Sequence, residues 1–282
     1  MNTTTMLHAR SDTHEGLFCK DRQYGPMLEG LWVPAPRYVL RRDRIMAALA
    51  GHAPGRVLEV GCGAGALLRE LADLGHKCIG LEAAPAAASV ARTMTNGTGA
   101  TQIVSEPAPD WKESFDTLLA FEVLEHIEQD EQALREWLTW LKPGGLVMLS
   151  MPAHMRSWSR RDEWAGHVRR YDRADIMRLT ARSNLRLEGL ECYGYPLATF
   201  TNWLANKRFR NKDMAGGADD PHTATAASGT DRSVDLSYFG MQQSWLGRFA
   251  MALACQTQRL FRRTDFGDGY IVIARKSGSD TN

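Results

Sequence analysis

The chain has 282 residues, enough for one large α/β domain or for a domain with an insertion, and 44% of them are hydrophobic, as in an ordinary globular protein. A formal net charge of +1 argues against a polyanion-binding protein that works through bulk electrostatics. The five cysteines (Cys19, Cys62, Cys78, Cys192, Cys255) lack C-x-x-C spacing, no apolar run approaches the ~20 residues needed to span a membrane, and the first residues form no hydrophobic signal core; a cytoplasmic protein in a reducing compartment is expected.

Residues 1–23 are polar and unpatterned and read as a flexible arm. Residues 24–54 read as an N-terminal helical cover: aromatic residues, a Pro34-Ala35-Pro36 turn, then a helix over 37–49 with Val39, Leu40, Ile45, Met46 and Leu49 at helical spacing. The strand Val57-Leu58-Glu59-Val60 runs straight into Gly61, Gly63 and Gly65, and a helical pattern starts at Ala66. Such a unit brings backbone N–H groups and a helix N-terminus against a ligand. A dinucleotide fingerprint needs its third glycine one residue later, where Ala66 stands. The carboxylate of Glu59 would repel a pyrophosphate, yet it suits a cationic amino-acid ligand. This favours S-adenosylmethionine (SAM), with its ammonium and sulfonium, over a nicotinamide coenzyme or a plain glycine turn. The next strand, 77–81, ends at Glu82, where an acid accepts both ribose hydroxyls of a nucleoside.

A third strand (101–104) is followed by Ser105-Glu106, and a fourth (115–121) by Glu122-Val123-Leu124-Glu125-His126. Leu141-Lys142-Pro143-Gly144-Gly145 turns into a fifth strand over 146–150. A helix over 173–183, a sixth strand over 186–193 and a last strand over 270–274 follow. Strand and helix alternate, which argues for a parallel sheet.

From about residue 55 to 191 this ordered series resembles the class I SAM-dependent methyltransferases, in particular the small-molecule O-methyltransferases that carry E-x-x-E-H. The resemblance implies an α/β fold: a doubly wound, seven-stranded, mostly parallel Rossmann-like sheet with its last strand reversed. The N-terminal helical cover precedes a core over 55–196; a helical insertion over 197–268 and the final strand over 269–276 follow it. It assigns SAM to Glu59, Gly61, Cys62, Gly63, Gly65, Glu82, Ala83, Phe121 and Glu122, with Glu106 the nearest match to an adenine-binding acid. In relatives the N-terminal segment touches the acceptor, a role open to Tyr24, Trp32 and Tyr38, which also read as packing aromatics.

Acceptor chemistry falls to the segments after the fourth and fifth strands. If Glu122 opens a helix, Glu122, Glu125 and His126 share one face. Metal-dependent methyltransferases of small-RNA 3′ ends complete a similar set with a distant histidine, and His167 stands in the corresponding place. A divalent metal is therefore one reading; the other leaves no metal, with His126 or His167 as general base and His154 behind them. Arg156, Arg160, Arg161, Arg169, Arg170 and Arg173 suit an anionic acceptor, although Asp162, Glu163 and Asp172 are interleaved and can neutralise them. Trp158 and Trp164 could wall a ring or a lipid.

Within the insertion, residues 197–210 read as helical, 211–232 as a disordered loop, and 240–263 as a basic helix with Trp245, Phe249, Leu253 and Leu260 along one side. That helix either packs on its own domain, contacts the inner face of a membrane, or covers the acceptor pocket. The expected function is O-methylation of a small or lipid-linked acceptor. RNA 3′-end 2′-O-methylation and a SAM-binding protein without turnover stand as alternatives; the absence of a compact basic face argues against nucleic acid.

Overall fold

Apolar runs of four to seven residues alternate with amphipathic helices, and this alternation folds into a sheet buried on both faces. The computed structural model describes residues 17–202 and 233–278. The chain opens with a hairpin, β1 (Phe18–Asp21) and β2 (Gly25–Leu28), and continues into α1 (Pro36–Leu49), which starts with Pro36 in its first turn. Then come β3 (Arg56–Val60), α2 (Ala66–Asp73), β4 (Lys77–Leu81), α3 (Pro85–Thr95), β5 (Thr101–Val104), β6 (Phe115–Phe121), α4 (Asp130–Trp140) and β7 (Leu141–Pro152). The second half holds α5 (Arg160–Trp164), α6 (Arg173–Arg182), β8 (Leu185–Tyr193), α7 (Ser233–Gln243), α8 (Trp245–Phe261) and β9 (Gly269–Lys276).

Seven strands pair in the order β5-β4-β3-β6-β7-β9-β8. β3 to β7 are mutually parallel, and β9 runs antiparallel between β7 and β8. This is the doubly wound sheet with one reversed strand that the sequence predicts. Order reverses between β3 and β6, so the carboxyl ends of those strands flank a crevice. One face of the sheet packs Leu119, Met148 and Ile271 against α1, α2, α3 and α8; the other packs Leu118, Val147 and Val272 against α4 and α6.

Two boundaries differ from the sequence reading. The stretch read as an arm over 1–23 already contains β1. Its turn is closed by Asp21 Oδ1, which accepts from the backbone N–H of Gln23 (2.8 Å) and Tyr24 (2.9 Å). The single helix expected over 240–263 is two helices: α7 begins at Ser233, and Ser244 breaks the run by capping α8 through the Gly247 N–H (3.2 Å). α8 is clamped onto the core at both ends. Arg248 meets Asp21 (2.6 Å), Arg259 meets Asp43 (2.5 Å), and the buried Gln258 amide donates to Leu40 O (3.0 Å). Residues 197–202 are helical; the expected loop over 211–232 lies outside the described residues.

Candidate active site

At the carboxyl end of β3 the chain turns through Gly61, Gly63 and Gly65 at φ 65°, 54° and 70°, the left-handed region that favours glycine. The Glu82 carboxylate, just past β4, fixes this loop. One oxygen accepts from Gly63 N–H (2.9 Å) and the other from Ala84 N–H (2.9 Å), so each keeps lone-pair capacity for a ligand. Glu59, Gly61, Cys62, Gly63, Glu82, Ala83, Phe121 and Glu122 all line one cleft of about 1520 Å³. Gly65 does not line it. Its added Cβ would sit 3.1 Å from Ala91 Cβ, so that glycine serves the close approach of α2 to α3. Glu106 is a second correction: its exposed side chain lies outside the cleft, which its neighbours Ser105 and Pro107 line instead.

Glu59 is buried, and its Oε2 has no hydrogen-bond partner among the described residues. Burial pushes its carboxyl up to about 8, against the pull of the Arg41 charge. A buried, under-paired acid at the floor of a cleft is prepared for a cationic ligand.

Glu122 is not the first residue of a helix. It sits at φ 58°, and only Leu124–His126 form a 3-10 turn. Its carboxylate turns to Arg37 and Arg41 (3.5 Å), and its Oε1 also accepts from Ser150 Oγ (2.9 Å) and Tyr193 OH (3.2 Å). Burial opposes its charge, but the two guanidiniums hold it well below the usual carboxylate range. The shared Glu122/Glu125/His126 face therefore does not form, because two arginines of α1 outcompete the cluster for Glu122.

Glu125, His126 and His167 do converge, with ligand atoms all within 4.8 Å of one another. Glu125 is fully buried, and neither carboxyl oxygen finds a partner from another side chain among the described residues. Burial, reinforced by the Glu122 charge, pushes it well above the carboxylate range. His126 Nδ1 lies 3.2 Å from Gly166 O, and burial beside His167 lowers its ring to about 4. The two imidazoles meet edge to face at 4.9 Å between centroids. His167 Nδ1 contacts Asp162 Oδ1 at 2.9 Å, which directs its Nε2 away from that carboxylate. Asp162 is 1% exposed; burial works against its charge, yet hydrogen bonds from His167, Arg170 and Ser159 keep it well below the usual range.

Further parts of the cleft wall come from α1 and the residues before it, from the segment after β7, and from residues around the two ends of the insertion. Trp32, Tyr38, Arg37 and Arg41 line it, whereas Tyr24 is buried elsewhere and donates to Gln242 O (2.6 Å). Trp158, Trp164 and His154 also line it, and His154 sits at φ 65°. The six arginines divide. Arg169 and Arg173 pair with Asp130 (3.0 Å) and Asp265 (2.9 Å), and Arg170 with Asp162 (2.7 Å). Arg161 reaches the cleft with the Asn202 amide oxygen (2.6 Å) as its partner, Arg156 lines the cleft too, and exposed Arg160 lies outside it. Sequence reasoning missed Arg37, Arg41 and the orienting role of Asp162. The one local signal for the last was Ser159-x-x-Asp162, which forms a capping box at the start of α5.

The sequence signature of the methyltransferase domain family matches residues 36–190. Curated relatives include ubiquinone biosynthesis O-methyltransferases. That of Proteus mirabilis is 32% identical over 154 residues, 52% of this chain and 63% of that protein. That of Xanthomonas euvesicatoria is 37% identical over 103 residues, 35% of this chain and 43% of that protein. The chain thus spans about half the length of the curated relatives it matches. Among solved structures, a SAM-dependent methyltransferase of Mesorhizobium loti has a TM-score of 0.50 at 17% identity, covering 86% of this chain and 98% of that one. Phosphoethanolamine N-methyltransferase 2 of Haemonchus contortus, in complex with S-adenosyl-L-methionine, has a TM-score of 0.51 at 15% identity, covering 85% and 53%. At these identities the solved structures bear on the fold alone.

Proposed function

Because this chain belongs to the class I SAM-dependent methyltransferase family, we propose that it moves the methyl of SAM to a hydroxyl of a small or lipid-linked acceptor, in the cytoplasm at the inner face of a membrane. The observation that carries this reading is the pair His167–Asp162 opening on the same cleft as the glycine loop and Glu82. Relatives named for O-methylation in ubiquinone biosynthesis support oxygen as the acceptor atom.

SAM supplies an already activated methyl group. Glu82 holds the ribose hydroxyls, and Glu59 faces the ammonium. His167 Nε2 takes the hydroxyl proton as the O–CH3 bond forms and the S–CH3 bond breaks. Asp162 holds the imidazole's orientation and balances the imidazolium that results. His126 is the weaker base: a ring lowered to about 4 has little affinity for a hydroxyl proton. Arg161 and Arg156 favour an acceptor that bears a carboxylate or phosphate. Most of the rate comes from alignment of acceptor oxygen, methyl and sulfur.

Glu125 favours a second reading. A fully buried carboxyl with two unpartnered oxygens beside two histidines is a fit for a divalent ion held by Glu125, His126 and His167. Such an ion, when bound, would lower the pKa of an acceptor hydroxyl. Glu122, committed to Arg37 and Arg41, stands outside that set.

The test is incubation of the purified chain with SAM and a catechol bearing a prenyl or carboxylate substituent. Mass spectrometry is expected to find S-adenosylhomocysteine and a methyl ether in equal amounts; a methylated amine or carbon would overturn oxygen transfer. SAM binding itself is expected to release a proton. Glu59 sits near 8 in the free protein, and the incoming ammonium draws it down. Affinity then tightens as pH rises from 6 to 7.5, and calorimetry in buffers of different ionisation enthalpy reads close to one proton released per SAM. For the free protein the linkage means stability lost as pH rises toward 8, which SAM restores. Binding without proton release would remove Glu59 from the ammonium.

A further inference from the structure

The outward face of α8 is an apolar feature the methyl-transfer reading leaves unused. Trp245, Leu246, Phe249, Leu253 and Leu260 are each more than half exposed, Trp245 at 79% and Leu260 at 80%. At about 100° per residue they fall within one stripe roughly 100° wide and about 22 Å long, interrupted by Gln256 alone. The opposite side of the same helix buries Met251, Ala254 and Gln258 against the core, so the helix has two apolar faces and the protein uses one. Arg248, Arg259 and Arg262 pair with Asp21, Asp43 and Glu191 on the protein side, which prevents the helix from rolling its outer face inward.

We propose that this stripe is a membrane-docking surface that lays α8 in the headgroup region of an anionic bilayer. Three observations favour lipid as the occupant. The stripe has the Trp, Phe and Leu composition of interfacial helices, and α8 carries no acid, its Arg248 and Arg259 being paired on the protein side. Arg263, two residues past the end of α8, is exposed and would meet lipid phosphates with the stripe docked. The stripe is also continuous with the cleft. Beyond Leu260, the Phe261 ring packs on Tyr195 (4.8 Å between centroids), Tyr195 packs on the half-exposed Phe266 (5.6 Å), and Tyr195 and Phe266 line the cleft. An apolar track therefore leads from the bilayer side to the acceptor site. No helix among the described residues is long and apolar enough to cross a membrane, so the contact is peripheral. This inference rests on the reading of a lipid-linked acceptor, which such a surface would deliver directly.

The test is flotation of the full chain with vesicles of phosphatidylglycerol and phosphatidylethanolamine, and with phosphatidylcholine alone, in the absence of SAM and acceptor. The anionic vesicles are expected to carry the protein, with severalfold weaker binding to phosphatidylcholine. A Phe249→Glu/Leu253→Glu double variant, altered only at exposed positions, is expected to lose at least tenfold in vesicle affinity and to keep wild-type SAM affinity by calorimetry. Wild-type protein that ignores both vesicles overturns the proposal, as does a double variant that still floats. A wild-type dimer that the double variant dissociates, with no vesicle binding, assigns the stripe to a second copy and also overturns it. Turnover on a soluble catechol without vesicle binding sinks this proposal alone; vesicle binding without turnover supports it while sinking the methyl-transfer reading.

Discussion

A Gly63→Val protein is expected to stay folded and to lose at least 100-fold in SAM affinity. Two effects combine. The backbone at Gly63 has φ 54°, where a β-branched residue carries strain of roughly 1–3 kcal/mol. A Cβ there meets no protein atom within 4 Å, so the added bulk enters the cleft and competes with the ligand instead of disturbing the core. A hundredfold loss corresponds to about 2.7 kcal/mol. The comparison with Gly65 makes the experiment specific. At Gly65 an added Cβ lies 3.1–3.2 Å from Ala91 Cβ and Cα, so Gly65→Val is expected to cost stability through the α2–α3 contact. Calorimetry with SAM and urea unfolding should therefore separate the two variants, one losing ligand and the other losing fold. Wild-type affinity in Gly63→Val would remove SAM from this loop.

The parts of this molecule legible in the sequence are those set by local pattern. The strands read correctly because a parallel sheet covered on both faces demands unbroken apolar runs such as Leu118-Leu119-Ala120-Phe121. The turn at Gly61–Gly65 and its contact with Glu82 follow from spacing that one strand–turn–helix unit imposes, although Gly65 serves helix packing and not the cleft. What failed depends on distant partners. β1 looked like an arm because its neighbours Tyr24 and Asp21 are held by Gln242 and Arg248, more than 200 positions away. The alternative that made Glu122 a metal ligand arose because nothing local announces that Arg37 and Arg41 will bind it and that its backbone will turn to φ 58°. Asp162 looked like surface charge among arginines, yet the turn into α5 buries it under His167 and Arg170. The exposed stripe of α8 was visible as a pattern, but only the packed helix tells which of its two apolar faces is left outside.

Replacing His167 by Ala is expected to lower kcat by roughly 10²–10⁴-fold, the span associated with loss of a positioned general base, and to leave SAM affinity unchanged. Asp162→Asn keeps the shape of the pocket but removes the charge that balances a protonated His167, so it should lower kcat by a smaller factor in the same direction. The pH profile separates the base from the metal. With His167 gone, an acceptor phenol must ionise unaided, so the residual rate should climb close to tenfold per pH unit toward the phenol's own pKa near 10. His126 gives no acid limb above about pH 5, because a ring lowered to about 4 stays neutral there; any loss of wild-type activity between pH 7 and 5 belongs to another group. If Glu125, His126 and His167 instead hold an ion, a chelator stops the wild-type enzyme, Mg²⁺ or Mn²⁺ restores it, and Glu125→Gln is as damaging as His167→Ala. Full turnover in chelator leaves the proton with His167; a His167→Ala enzyme that runs at the wild-type rate takes it away.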